Sequence, residues 1–179
     1  MDNWKIIWSK KDLKPNSTQS LNNLIVANGF DTGVGSYSED KWREMVFDFL
    51  KRTNFNENAN VLELGCGSGA FLFPLNELVK ANYFGLDYSP SLINIAKTAL
   101  PNAHLVAEEA KSSAFDDMYF DVIFSHSVFQ YFPSMVYAED VITMWCKKIK
   151  QGGKLVLLDI NDKEKEDDYH NERMLAYRN

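Results

Sequence analysis

At 179 residues and 45% hydrophobic, the chain is long enough for one well-buried domain and too short for two. A formal net charge of −6 argues against a broad footprint for a polyanion, which relies on Lys and Arg near phosphates, so no nucleic-acid partner is expected. No apolar run approaches the roughly 18 residues of a membrane span and the start, MDNWKIIWSKKDLK, is too charged for a signal peptide, so a cytoplasmic protein with no membrane partner is expected.

Residues 1–56 read as an N-terminal helical extension. They carry Trp4, Trp8 and Trp42, a polar stretch KPNSTQSLNN and a loop-like NGFDTGVGSYSED. Ser38 or Asp40 then caps a helix KWREMVFDFLKR, whose Trp42, Met45, Val46, Phe49 and Leu50 recur at helical spacing. Residues 57–162 change character. Short β-prone runs at 60–64, 83–87, 104–107, 120–125 and 154–160 alternate with helical patterns near 69–79, 89–99 and 134–149, while 109–119 reads as loop. That alternation predicts βαβ units and an α/β, Rossmann-like doubly wound, mainly parallel sheet with helices on both faces. The basic cluster WCKKIKQGGK falls at a helix end, where cations suit the C-terminal dipole. Residues 163–179 form a charged C-terminal segment. A sheet ending at KLVLLDI leaves an apolar edge that needs a cover, either further chain or another subunit such as a second copy in a homodimer.

The stretch NVLELGCGSGAFLF, residues 60–73, turns a strand into a helix through Gly65, Gly67 and Gly69, as a loop does where backbone must approach a ligand. A dinucleotide fingerprint fits these letters, and Asp87 lies at the right distance to take ribose hydroxyls. Glu63 does not fit it. A carboxylate about 4 Å from a phosphate is repelled by about 4 kcal/mol at an effective dielectric of 20, whereas a cationic ligand reverses the sign. Glu63 held by nearby backbone alone is the bland alternative.

The ordered set VLELGCGSG (61–69), FGLDYS (84–89), AEEA (107–110), FDVIFSHSVFQYF (120–132) and IKQGGKLVLLD (149–159) resembles the class I S-adenosylmethionine-dependent methyltransferases. The resemblance implies S-adenosyl-L-methionine as cofactor and a loop of Gly65, Cys66, Gly67 and Gly69 beside it. It further implies Glu63 at the methionine amino group, Asp87 on the ribose hydroxyls and Tyr88 beside the adenine. Glu109 would meet the adenine amino group, Ala110 would offer its backbone amide to the ring, and the Ser125 carbonyl would meet the cofactor's ammonium. Family members add a sixth and an antiparallel seventh strand, which this sequence does not show, and many small-molecule members carry a helical lid where Trp4, Trp8, Tyr37 and Trp42 fall. Core packing is the competing reading for these aromatics.

In-line methyl transfer needs alignment and dryness more than a general base. His126, directly after the fourth strand, is the candidate catalytic residue, against a structural role for a lone His. The loop after that strand lacks an N-P-P-Y or D-P-P-Y signature, which together with the acidic charge favours a small-molecule acceptor. Cys66 has no paired base and is not read as a nucleophile. Three functions stay open: a small-molecule methyltransferase, a non-catalytic S-adenosylmethionine-binding domain or fragment completed by a partner, and an NAD-dependent oxidoreductase.

Overall fold

The computed structural model describes residues 20–30, 36–112, 114–165 and 168; Trp4, Trp8 and most of the charged C-terminal segment lie outside them. Five strands, β1 (Asn60–Leu64), β2 (Asn82–Asp87), β3 (His104–Ala107), β4 (Phe120–His126) and β5 (Ile149–Leu158), form one sheet in the order β3-β2-β1-β4-β5. Every pairing is parallel. The chain therefore runs outward from β1 through β2 to β3, then returns to the other side of β1 as β4. That reversal opens a crevice at the carboxyl ends of β1 and β4, where doubly wound sheets bind ligands.

Alternation along each strand divides the core. Val61, Tyr83, Val122 and Phe124 join one apolar cluster with α1 (Leu21–Ala27), α2 (Glu39–Thr53), α3 (Leu72–Leu78) and α4 (Pro90–Ala99). Leu62, Leu64, Phe84, Leu86 and Ile123 face the other way, against Val141 and Trp145 of α5 (Met135–Lys148). Both tryptophans at these helix–sheet seams are buried and keep their indole N–H satisfied. Trp42 donates to the Ala70 carbonyl at 2.9 Å and Trp145 to the Ala110 carbonyl at 2.7 Å. Trp42 is thus a core residue.

Ser38, not Asp40, caps α2, and the buried positions Trp42, Val46, Phe49 and Thr53 recur along one face. Lys147 and Lys148 close α5 in its last turn, where Lys148 pairs with Asp117 at 2.8 Å. Two elements depart from expectation. Residues 21–27, which begin inside the polar stretch KPNSTQSLNN of the expected helical extension and carry no expected element of their own, form α1, capped by Ser20 and burying Leu21, Leu24, Ile25 and Ala27. β5 starts at Ile149 instead of 154 and stops at Leu158, because the IKQGG segment pairs with β4 through a register shift at Phe120/Val122. Among the described residues β5 pairs only with β4, the sheet has five strands, and no helix is long and apolar enough to cross a membrane.

Candidate functional site

The glycine loop leaves β1 with every amide from 65 to 69 engaged. Gly65 and Cys66 donate to the Leu86 carbonyl at 2.7 and 3.1 Å, and Gly69 donates to the Cys66 carbonyl at 2.8 Å. Gly67 donates to Asp87 Oδ2 at 2.8 Å, and Ser68 donates to Asn28 Oδ1 at 2.8 Å. Gly65 and Gly67 are held at φ of 75° and 52°, and a Cβ on either would lie 2.3 Å from Val128 Cγ2 or 2.4 Å from Asn28 Oδ1. A phosphate-binding nest needs free amides and no adjoining anion. Here the amides are spent and the adjoining groups are carboxylates.

Glu63 points to the same face as Phe124, opposite Gly85 on β2. It is only 3% exposed, and its Oε2 has no hydrogen-bond partner among the described residues. Burial first, and the Asp87 charge second, hold its carboxyl well above the usual carboxylate value. Asp87 is itself raised by burial, against the lowering effect of amides from Ser89 and Gly67; the Ser89 amide donates to Oδ1 at 2.8 Å. Asp87 does not cap α4, because Ser89 does, accepting from the Leu92 amide. Two carboxylates thus share a dry loop, and one has an orphaned oxygen. The complement is a cation with hydrogen-bond donors.

Across the crevice, His126 is the last residue of β4 and is 6% exposed. Its ring is boxed by Phe30, Trp42 and Phe71 at centroid distances of 5.5, 5.3 and 5.5 Å, and its Nε2 has no partner among the described residues. Burial lowers its pKa to about 4, with Asp159 opposing, so the imidazole is neutral at physiological pH. Beside it the Ser127 hydroxyl donates to Asp159 Oδ2, and the Ser127 amide donates to the Leu158 carbonyl at 3.2 Å.

The remaining expected residues differ in placement. Tyr88 is exposed directly after Asp87, and Glu109 is exposed beyond β3. Ala110 is partly buried, with its carbonyl taken by Trp145. Ser125 is turned to the opposite sheet face, where its hydroxyl donates to the Leu64 carbonyl at 2.9 Å. Cys66 is buried in the core against Gly85, and burial pushes its thiol up, so only its backbone belongs to the loop. Sequence reasoning missed Asn28, Ser68, Val128 and Asp159. Asn28 reaches the loop from the end of α1, 40 residues away in sequence, and carries no local signal of that contact.

That helix is tied to the loop twice, through Asn28 and through the Ser68 hydroxyl, which donates to the Leu24 carbonyl at 2.7 Å. Ser68 is fully buried, so Asn28→Ala strands its amide and is expected to cost about 1–3 kcal/mol. Urea unfolding should show a lower midpoint with an unchanged slope. An unchanged midpoint would mean that water replaces the carboxamide.

The sequence model of a family described as "Methyltransferase domain" matches residues 62–157, more than half of the chain. The malonyl-[acyl-carrier protein] O-methyltransferase of Bacillus anthracis is 28% identical over 120 residues, covering 62% of this chain and 44% of that protein. Chondramide synthase of Chondromyces crocatus is 34% identical over 118 residues, covering 62% of this chain and 3% of that protein. The chain thus spans less than half the length of either relative. Among solved structures, phosphoethanolamine N-methyltransferase 1 of Haemonchus contortus, in complex with phosphoethanolamine and S-adenosylhomocysteine, superposes with a TM-score of 0.67. It is 19% identical and covers 87% of this chain and 31% of that chain, a likeness of fold.

Proposed function

We propose that this chain, which belongs to the methyltransferase-domain family and has the class I Rossmann-like fold, binds S-adenosylmethionine and methylates a small-molecule acceptor. The observation that carries the reading is the buried Glu63 oxygen without a partner, set beside Asp87 in a loop whose amides are already engaged. The residues present fit the cofactor. Glu63 would hold its ammonium, Asp87 its ribose hydroxyls, and Gly65 and Gly67 would leave room for its close approach. When bound, it supplies an electrophilic methyl group on a sulfonium.

The chain's own work is then binding, alignment and exclusion of water. Phe30, Trp42 and Phe71 keep the floor of the crevice apolar around His126. Among the described residues His126 Nε2 is, with Glu63 Oε2, one of two buried side-chain polar atoms without a partner, and in this reading it hydrogen-bonds the acceptor and orients it. Because the folded pKa is about 4, His126 should impose no ionisation on the pH profile between pH 6 and 8.

Calorimetry with S-adenosylmethionine, S-adenosylhomocysteine and NAD tests the cofactor; NAD binding without the other two overturns the reading. A methyl-donor turnover screen separates an enzyme from a domain that only binds. His126→Phe keeps the ring packing and removes Nε2, so S-adenosylhomocysteine affinity should hold while kcat falls by about 10²-fold. Full turnover in this variant would leave His126 a packing residue.

A further inference from the structure

Three groups converge at the carboxyl ends of β4 and β5 that methyl-donor binding does not use: Ser127, Asp159 and Tyr37. Ser127 and Asp159 follow the two strands and sit at φ of 57° and 55°, a region that non-glycine residues seldom occupy. The geometry folds Asp159 back over the end of β4, where its Oδ2 accepts from the Ser127 hydroxyl. Asp159 is exposed, and its Oδ1 has no partner among the described residues. The Asp159 charge acts on two groups there, the half-buried Tyr37 phenol and the His126 imidazole. His126 is more than nine-tenths buried with Nε2 unpaired, an independent sign that a ligand completes this end of the crevice.

The charge balance selects that ligand. Asp159 stands beside Ser127, His126 and Tyr37, and among the described residues every ion pair of a Lys or Arg goes to other acids: Glu39, Glu77, Asp48, Asp140, Asp117 or Asp121. With Glu63 and Asp87 engaged by the cofactor, an anionic acceptor still meets the Asp159 carboxylate, which makes no ion pair among the described residues. A cationic one finds Asp159 Oδ1 and, beside it, the rings of Tyr37 and Phe30, which pack edge to face at 6.1 Å. We propose that Asp159, oriented by Ser127, is the subsite that recognises the methyl acceptor, and that the acceptor is an amine, bound as the ammonium. The amine loses one proton to solvent before its nitrogen forms the N–C bond as the sulfonium C–S bond breaks and the thioether leaves. This rests on the methyltransferase reading and narrows it to a substrate class.

The test is binding of three ring compounds of like shape and different charge, benzylamine, benzyl alcohol and benzoate, to the full chain saturated with S-adenosylhomocysteine. Benzylamine should bind about tenfold more tightly than benzyl alcohol, with benzoate weakest. The preference should shrink as salt is raised. Asp159→Asn keeps the shape and suits the left-handed backbone, so it should abolish the amine preference while S-adenosylhomocysteine and benzyl alcohol bind as before. Ser127→Ala, a second variant, should reduce the preference part of the way.

Benzoate binding as well as benzylamine, an unchanged preference in Asp159→Asn, or no benzylamine binding at millimolar concentration overturns the proposal. Should the wild-type chain bind benzylamine selectively but not S-adenosylhomocysteine, the amine subsite stands and the methyl-donor reading alone falls.

Discussion

Asp87→Ala should weaken S-adenosylhomocysteine binding by two to three orders of magnitude, about 3–4 kcal/mol, with a much smaller effect on the unfolding midpoint. The carboxylate has two functions. It fixes the loop by accepting from the Gly67 and Ser89 amides, one oxygen to each, and those oxygens retain lone pairs for ribose hydroxyls. Removing it costs the ligand two charge-assisted hydrogen bonds and releases the turn that shapes the pocket. The folded protein loses less, because Asp87 is itself raised by burial and its charge disfavours ionisation of Glu63. Asp87→Asn keeps one acceptor oxygen and should lie between. Calorimetry gives the affinity; a dissociation constant within threefold of wild type in the alanine variant would remove Asp87 from the site.

How far the sequence reveals this arrangement depends on how local each feature is. The parallel sheet is legible because each buried strand is a short apolar run with a helical pattern after it, and Glu63 is legible because a carboxylate breaks such a run. The choice between NAD and a cationic ligand is only partly legible. Asp87 has the spacing for both, and it takes the structure to show that the loop amides, which a pyrophosphate would need, are already engaged. Helix α1 has seven residues, LNNLIVA, too few to be stable alone, and its order comes from docking on Ser68 and the core. The Ser127–Asp159 contact joins residues 32 apart in sequence, and it exists because β4 pairs with β5 and both chains then turn through the left-handed region. Gly85 carried a signal that was open to reading. A glycine inside a strand marks close approach, and here it makes room for the Cys66 sulfur beneath the loop.

Glu63→Gln should move stability and binding in opposite directions. In the free protein the side chain is desolvated, one oxygen has no partner among the described residues, and burial holds its pKa well above the usual carboxylate value. A carboxyl whose folded pKa is raised destabilises the native state increasingly as pH climbs from the unfolded value to the folded one, and the full penalty persists above that window. Gln has nearly the same shape and no charge, so at neutral pH it should raise unfolding stability by about 1–2 kcal/mol. The same change removes the countercharge for the cofactor's ammonium and should cost about 2–4 kcal/mol of affinity for S-adenosylhomocysteine. Wild-type affinity should rise with pH through the window in which Glu63 loses its proton and then level off, whereas the Gln variant should show no such dependence from Glu63. Calorimetry in two buffers of different ionisation enthalpy reads the proton released on binding. A variant that is less stable and binds as well as wild type would mean that Glu63 only braces the strand; a variant that is more stable and binds worse identifies the acid as one kept in the core at a cost to folding because the cation needs it.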